Sequence, residues 1–164
     1  MIISDKNIYD VFFKELNITF QSDFTFYKAY QTNPKKIKKF GTVYIVTQNT
    51  HKNKKEYFDR VNPKEKQTDT LHILVQVDLY SNEDSLSSFV ETVKAFLFSD
   101  RVIFSFNRSG IKLKEIKSSR VLPEEVKGEW IYRRGFDVLI EIINVHEFNV
   151  DYIIEADVSG SPIP

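Results

Sequence analysis

The sequence predicts an α+β domain, a mostly antiparallel sheet with two main helices packed on one side, and three stretches predict it. Leu71, Ile73, Val75, Val77 and Leu79 alternate with His72, Gln76, Asp78 and Tyr80, the period of two that a half-buried strand requires. Phe136, Val138, Ile140 and Ile142 repeat that period within Glu129 to Ile143, with Trp130 and Tyr132 on the same even-numbered face. These two strands should form the sheet centre. Between them Leu86, Phe89, Val90, Val93, Phe96 and Leu97 lie three and four apart, so a helix from Glu83 to Phe98 carries a continuous apolar stripe. Parallel αβ winding is disfavoured, because nearly every strand would then need its own crossover helix.

The remaining elements follow from spacing and turn chemistry. Ile8, Val11, Phe12 and Leu16 mark one face of a helix from Asp5 to Leu16, with Ser4 or Asp5 as its cap. Phe24 to Tyr30 reads as a short aromatic strand before the turn Gln31-Thr32-Asn33-Pro34. Phe40 to Gln48, around Val43, Tyr44, Ile45 and Val46, reads as a strand buried on both faces. His51 to Gln67 is polar and reads as a long connection. Ser81-Asn82-Glu83-Asp84 has the capping pattern of a helix start, and Ser99-Asp100 a stop. Val102 to Phe106 then reads as a short strand and Asn107-Arg108-Ser109-Gly110 as a hairpin turn. Ile111 to Ser119 is extended, and Val150 to Ile154 is a last strand-like piece before Ser159-Gly160-Ser161-Pro162.

Length and composition set the class. The 164 residues suit one domain over 1–164 with its own core, and residues 149–164 read as an extended C-terminal arm. Cysteine is lacking, which excludes disulfides, thiolate metal sites and a Cys nucleophile. The N-terminus is not patterned as a signal peptide, and no apolar run approaches the roughly 20 residues of a membrane span. A protein made in a cytoplasm, with no membrane partner, is expected. The 23 basic and 23 acidic residues cancel. Between Gln31 and Lys66, however, ten Lys or Arg face three Asp or Glu, including Lys35, Lys36, Lys38, Lys39, Lys52, Lys54 and Lys55. Those seven lysines are the candidate interaction surface, able to hold phosphates or an acidic protein patch, although charge runs are most often plain solvated loops.

Catalytic patterns are sparse. His51, His72 and His146 have no metal-ligand spacing, the five glycines form no phosphate loop, and there is no Gly-x-Ser-x-Gly elbow. Asp78, Glu115 and Lys117 could serve metal-dependent phosphodiester cleavage from adjacent strands. The ordinary reading of such residues is a solvated face, and that of Asp137 and Glu141 is cross-strand pairing with Lys or Arg. No cofactor is implied and no enzyme is expected.

Three stretches carry a resemblance. Ile73 to Ser81 with the amphipathic helix after it, Ser119-Arg120-Val121-Leu122-Pro123, and Glu129-Trp130 with Arg133-Arg134-Gly135-Phe136-Asp137-Val138 resemble the neck and tail-terminator proteins of tailed bacteriophages, over Thr70 to Ile143. The N-terminal part departs from the pattern in its long basic loop. The resemblance implies a tail-terminator-like α+β subunit of the virion that assembles as a homohexameric ring on the tail tube protein and meets the head–tail connector protein. DNA would pass through the ring channel, where the lysines could face it. Val150, Tyr152, Ile153 and Ile154 could form an arm that adds a strand to the next subunit. A nucleic-acid-binding module and a metal-dependent nuclease are the alternatives.

Overall fold

The computed structural model describes residues 4–29, 39–58, 64–81, 86–122, 124–126 and 129–149, with the backbone alone for 51–58, 64–65, 124–126, 129–130 and 149. Its elements are α1 (Asp5–Phe20), β1 (Thr25–Lys28), β2 (Lys39–Phe58), β3 (Lys64–Ser81), α2 (Leu86–Leu97), α3 (Asp100–Arg108), β4 (Ile111–Ile116), β5 (Arg120–Val121), β6 (Glu124–Val126) and β7 (Glu129–Asn149). The sheet runs β1-β2-β3-β7-β4, with β5 and β6 also on β7. Every pairing is antiparallel except β1 with β2. The expected α+β fold with a mostly antiparallel sheet is therefore the observed one.

The two strands expected at the centre are neighbours, with Val75 opposite Val138 and Val77 opposite Phe136. Their odd and even residues respectively point to one face, where Ile73, Val75, Val77, Leu79, Phe136, Val138, Ile140 and Ile142 are all buried. All three helices contribute to that core. From α1 come Ile8, Phe12, Leu16 and Phe20, from α2 Leu86, Val90, Val93 and Leu97, and from α3 Val102 and Phe106. Rings knit the layer together: Phe12 meets Phe106 edge-on at 4.9 Å, and Phe20 meets Phe89 and Phe96 at 5.4 and 5.1 Å.

Four departures from the sequence reading have physical causes. First, α1 runs one turn beyond Leu16, because Phe20 continues the four-residue stripe of Ile8, Phe12 and Leu16 into the core. Asn7 Oδ1 accepts from the Ser4 N–H at its start. Second, Val102 to Phe106 is not a strand but part of α3, giving three helices among the described residues rather than two. Ser99-Asp100, which looked like a stop, opens this helix with an extended cap and an acidic first turn, and Arg108 closes it, as the helix dipole favours. Gly110, at φ 75°, ends the turn instead of forming a hairpin.

Third, Phe40 to Gln48 is buried on one face only. Gly41 and Val43 are buried on the core face, whereas on the second face Phe40 is covered by the Tyr80 ring and Tyr44 and Val46 are exposed, since among the described residues no helix lies there. Fourth, most of the polar stretch 51–67 is ladder: His51 to Phe58 pairs with Lys64 to Thr70. There β2, β3 and β7 continue as a three-stranded ribbon, and its polar sequence carries no hydrophobic period to mark it. β7 likewise runs to Asn149, six residues beyond the expected end. Val150 to Ile154 lies outside the described residues, as do Lys35, Lys36, Lys38 and the capping run 82–84.

A candidate interaction surface on the uncovered sheet face

The face away from the helices carries the even residues of β3 and the odd residues of β7, and its centre is a set of ion pairs. Asp78 on β3 stands opposite Gly135 on β7, and Gly135 stands opposite Arg120 on β5. Three distant stretches of sequence therefore meet in one row across the sheet. Only glycine fits the middle position, because a Cβ at Gly135 would fall on the Asp78 carboxylate and lie 3.3 Å from the Val77 carbonyl oxygen.

The carboxylates in this row are held by arginine. Asp78 Oδ2 accepts from Arg133 Nη2 at 2.8 Å and from Gln76 Nε2 at 2.7 Å, and the Arg133 guanidinium lies 5.5 Å from the Tyr80 ring centre. Asp137, the register partner of Gln76, takes a two-pronged grip from Arg120 at 2.9 and 2.7 Å. Both carboxylates are almost wholly buried. A two-pronged pair beneath a sheet face fixes orientation as much as it adds energy, and here it pins the short β5 to the sheet.

One more acid organises the outer part of this face. Glu141 lies within 3.2 Å of His72 Nε2, 3.4 Å of Lys114 Nζ and 3.9 Å of Lys112 Nζ. Burial alone would push its carboxyl up, but the hydrogen bonds from His72 and Lys114 and the charges of Lys114 and Lys112 hold it below the ordinary value. A carboxyl whose folded pKa is depressed stabilises fully above its unfolded value, about 4.3, and loses that contribution as pH falls through the lower folded value. Glu141→Gln should therefore lower the urea midpoint at pH 7, and the gap to the wild-type chain should narrow below about pH 4. Urea titrations of both chains at pH 7 and pH 3 check this.

The sequence-predicted groups separate in space. Lys39 opens β2, opposite Ser81, and lines a cleft of about 230 Å³ with Asp23, Phe24, Leu86 and Phe89. Lys52, Lys54 and Lys55 sit in the ribbon, opposite Asp69, Thr68 and Gln67. Thirteen residues of strand, roughly 40 Å, part Lys39 from Lys52. Lys39 thus lies far along β2 from Lys52, Lys54 and Lys55. The nuclease constellation does not assemble either. Asp78 pairs at Gly135 on one flank of β7 and Glu115 at Leu139 on the other, four residues or about 13 Å further along. Asp78 is occupied by Arg133, and Lys117 meets β7 through its backbone, whose N–H donates to the Asp137 carbonyl. His72 pairs with Glu141, while His146 lies 3.7 Å from Asp69 and stacks on Phe148. Among the described residues no three His, Asp or Glu are grouped to hold a metal ion, and no helix is long and apolar enough to cross a membrane.

Asp137 and Glu141 form the cross-strand pairs that the sequence suggested. Sequence reasoning missed the partner of Asp78. The signal was in Arg133-Arg134-Gly135, where an arginine two residues before a glycine on one strand faces an acid on the next. Asp78, Arg120 and Gly135, each from a stretch that carried the family resemblance, are the residues that meet in this row.

No curated protein matches the chain. A family model does, however, over residues 6–163, and its description is phage neck terminator protein. The chain belongs to that family, and is by that membership a structural protein of the bacteriophage virion neck that meets other head and tail proteins.

Proposed function

We propose that the chain is a single-domain, non-enzymatic subunit that closes into a homohexameric ring, caps the tail tube and joins it to the head–tail connector. Membership of the neck terminator family over almost the whole chain carries this reading. The architecture is consistent with it. A sheet covered by helices on one face, with paired charges on its other face, offers extensive surface for protein contact.

Within that reading Lys35, Lys36, Lys38 and Lys39 form one basic site, and Lys52, Lys54 and Lys55 on the ribbon a second, either of which would attract the phosphates of DNA passing through the channel. The segment holding Val150, Tyr152, Ile153 and Ile154 follows directly on β7 and serves as the arm that reaches the next subunit.

The test is the absolute mass of the full chain by light scattering, alone and after mixing with purified tail tubes, at low and high salt. The expected result is a six-subunit particle that survives high salt and decorates tube ends in electron micrographs. A chain that stays monomeric in both settings, and leaves tube ends bare, would contradict the ring.

A further inference from the structure

At the ribbon end of the sheet the ladder leaves two strand edges open among the described residues. On β7 the partners β4 and β5 pair with residues 134 to 142, and no strand lies against that side from Ile143 to Asn149. The direction of the exposed groups can be assigned. Arg133 and Asp137 turn their carbonyls to that side, accepting from Leu122 and Lys117, and the β3–β7 register is unbroken through Asn149. By the two-residue alternation of a strand, Ile143, Val145 and Glu147 turn their N–H and C=O groups to the same open side. Ile143 and Phe148 are also about half exposed, an apolar edge with none of the usual blunting by lysine or proline.

On β2 the outer side is occupied by β1 as far as Val43, and the Ile45 N–H beyond it donates to Tyr9 Oη. From Val46 to Phe58 no strand lies against it among the described residues. The two open stretches are level with each other: His51, Thr70 and Ile143 form one row across the ribbon, and Glu56, Lys66 and Glu147 another. β2 and β7 are both antiparallel to β3 and so run in the same direction. A neighbouring sheet placed beside this one without inversion would bring its β2 alongside β7 as a parallel partner. β2 also carries irregularities at Ile45/Thr47 and Lys52/Lys54. Bulges of this kind bend and coil a strand, which a belt of sheets needs in order to curve into a closed ring.

We propose that copies of this chain join head to tail through these edges, β7 from Ile143 to Glu147 of one copy lying parallel to the Val46–Phe58 edge of β2 in the next. The inference rests on the ring reading and names its interface. A two-fold pairing of β7 with β7 would satisfy the edge but stop at a dimer, whereas unlike edges continue until the rotation closes.

The cysteine-free chain makes the test clean. Val145→Cys is combined in one chain with a cysteine at Thr50, Lys52, Lys54 or Glu56 and treated with a short bis-maleimide. The expected result is a covalent ladder up to the full ring for one of these pairs, and none for Val145→Cys alone. Val145→Pro, which removes an outward N–H while leaving the β3 ladder intact, should shift the ring peak to monomer without lowering the melting temperature. Covalent dimers from Val145→Cys alone would mean β7–β7 pairing and overturn the proposal. A ring of normal mass that neither cross-links nor responds to Val145→Pro overturns the edge interface and leaves the ring standing. A chain that is monomeric even with tail tubes overturns both.

Discussion

Phe12→Ala is expected to lower the stability of the fold by about 3–5 kcal/mol and its melting temperature by roughly 6–20 °C. Phe12 is fully buried and lies edge-on to Phe106, also fully buried, so it is the point where α1, α3 and the sheet are packed together. Truncation removes a ring's worth of burial and leaves a cavity lined by residues that the sheet holds in place. The surroundings cannot collapse to fill it, which puts the cost at the upper end of the large-to-small range. Ile18→Ala is the control on the same helix. Ile18 is 58% exposed and should change stability by less than about 0.5 kcal/mol. Thermal melts of the two variants by circular dichroism check the contrast, and equal losses would mean that α1 does not bury the face assigned to it.

The second large effect centres on Asp78 and Gly135. Asp78→Ala should cost about 3 kcal/mol, the lower end for breaking a buried pair, because the Arg133 side chain is already 23% exposed to water beside the carboxylate. Gly135→Ala should cost about 1–3 kcal/mol, since the new methyl falls where the Asp78 carboxylate lies and forces it off Arg133 and Gln76. The informative quantity is the double variant. If both changes act through one carboxylate, the double should be less damaging than the sum by about 1 kcal/mol or more. Urea titrations of the four chains close the cycle. Strict additivity would show that Asp78 does not occupy the notch over Gly135.

What could be read in the sequence follows from where water is excluded. β3, β7 and α2 each have one face in the core and one outside, and that asymmetry writes a period of two or 3.6 into the chain. The ribbon could not be read because its sequence is polar at odd and even positions alike: Lys52, Lys54, Lys55, Lys64 and Lys66 fit a strand there as well as a loop. Val102-Ile103-Phe104-Ser105-Phe106 misled in another way, since β-branched and aromatic residues favour strands while its burial, Val102 and Phe106 four apart, is helical. Of the candidate site residues, Asp137 and Glu141 were legible as paired acids from their alternation. The convergence of Asp78, Arg120 and Gly135 was not, because it depends on the register of two ladders, which no local pattern encodes.

Asn17, near the end of α1, lies beside β1 and treats it as a neighbouring strand would. Its Oδ1 accepts from the Phe26 N–H at 2.7 Å, and its Nδ2 donates to the Phe26 carbonyl at 3.2 Å. A single amide thereby stands in for one rung of a missing strand, and Phe26 is in turn locked over Gly41, where even a methyl group would strike its ring. The β1 edge of the sheet is thus capped from within against recruiting another chain. On the proposed ring reading, the sheet of a subunit in a crowded host cell would grow from the ribbon and not from β1, so encounters between copies would be directional before a ring closed.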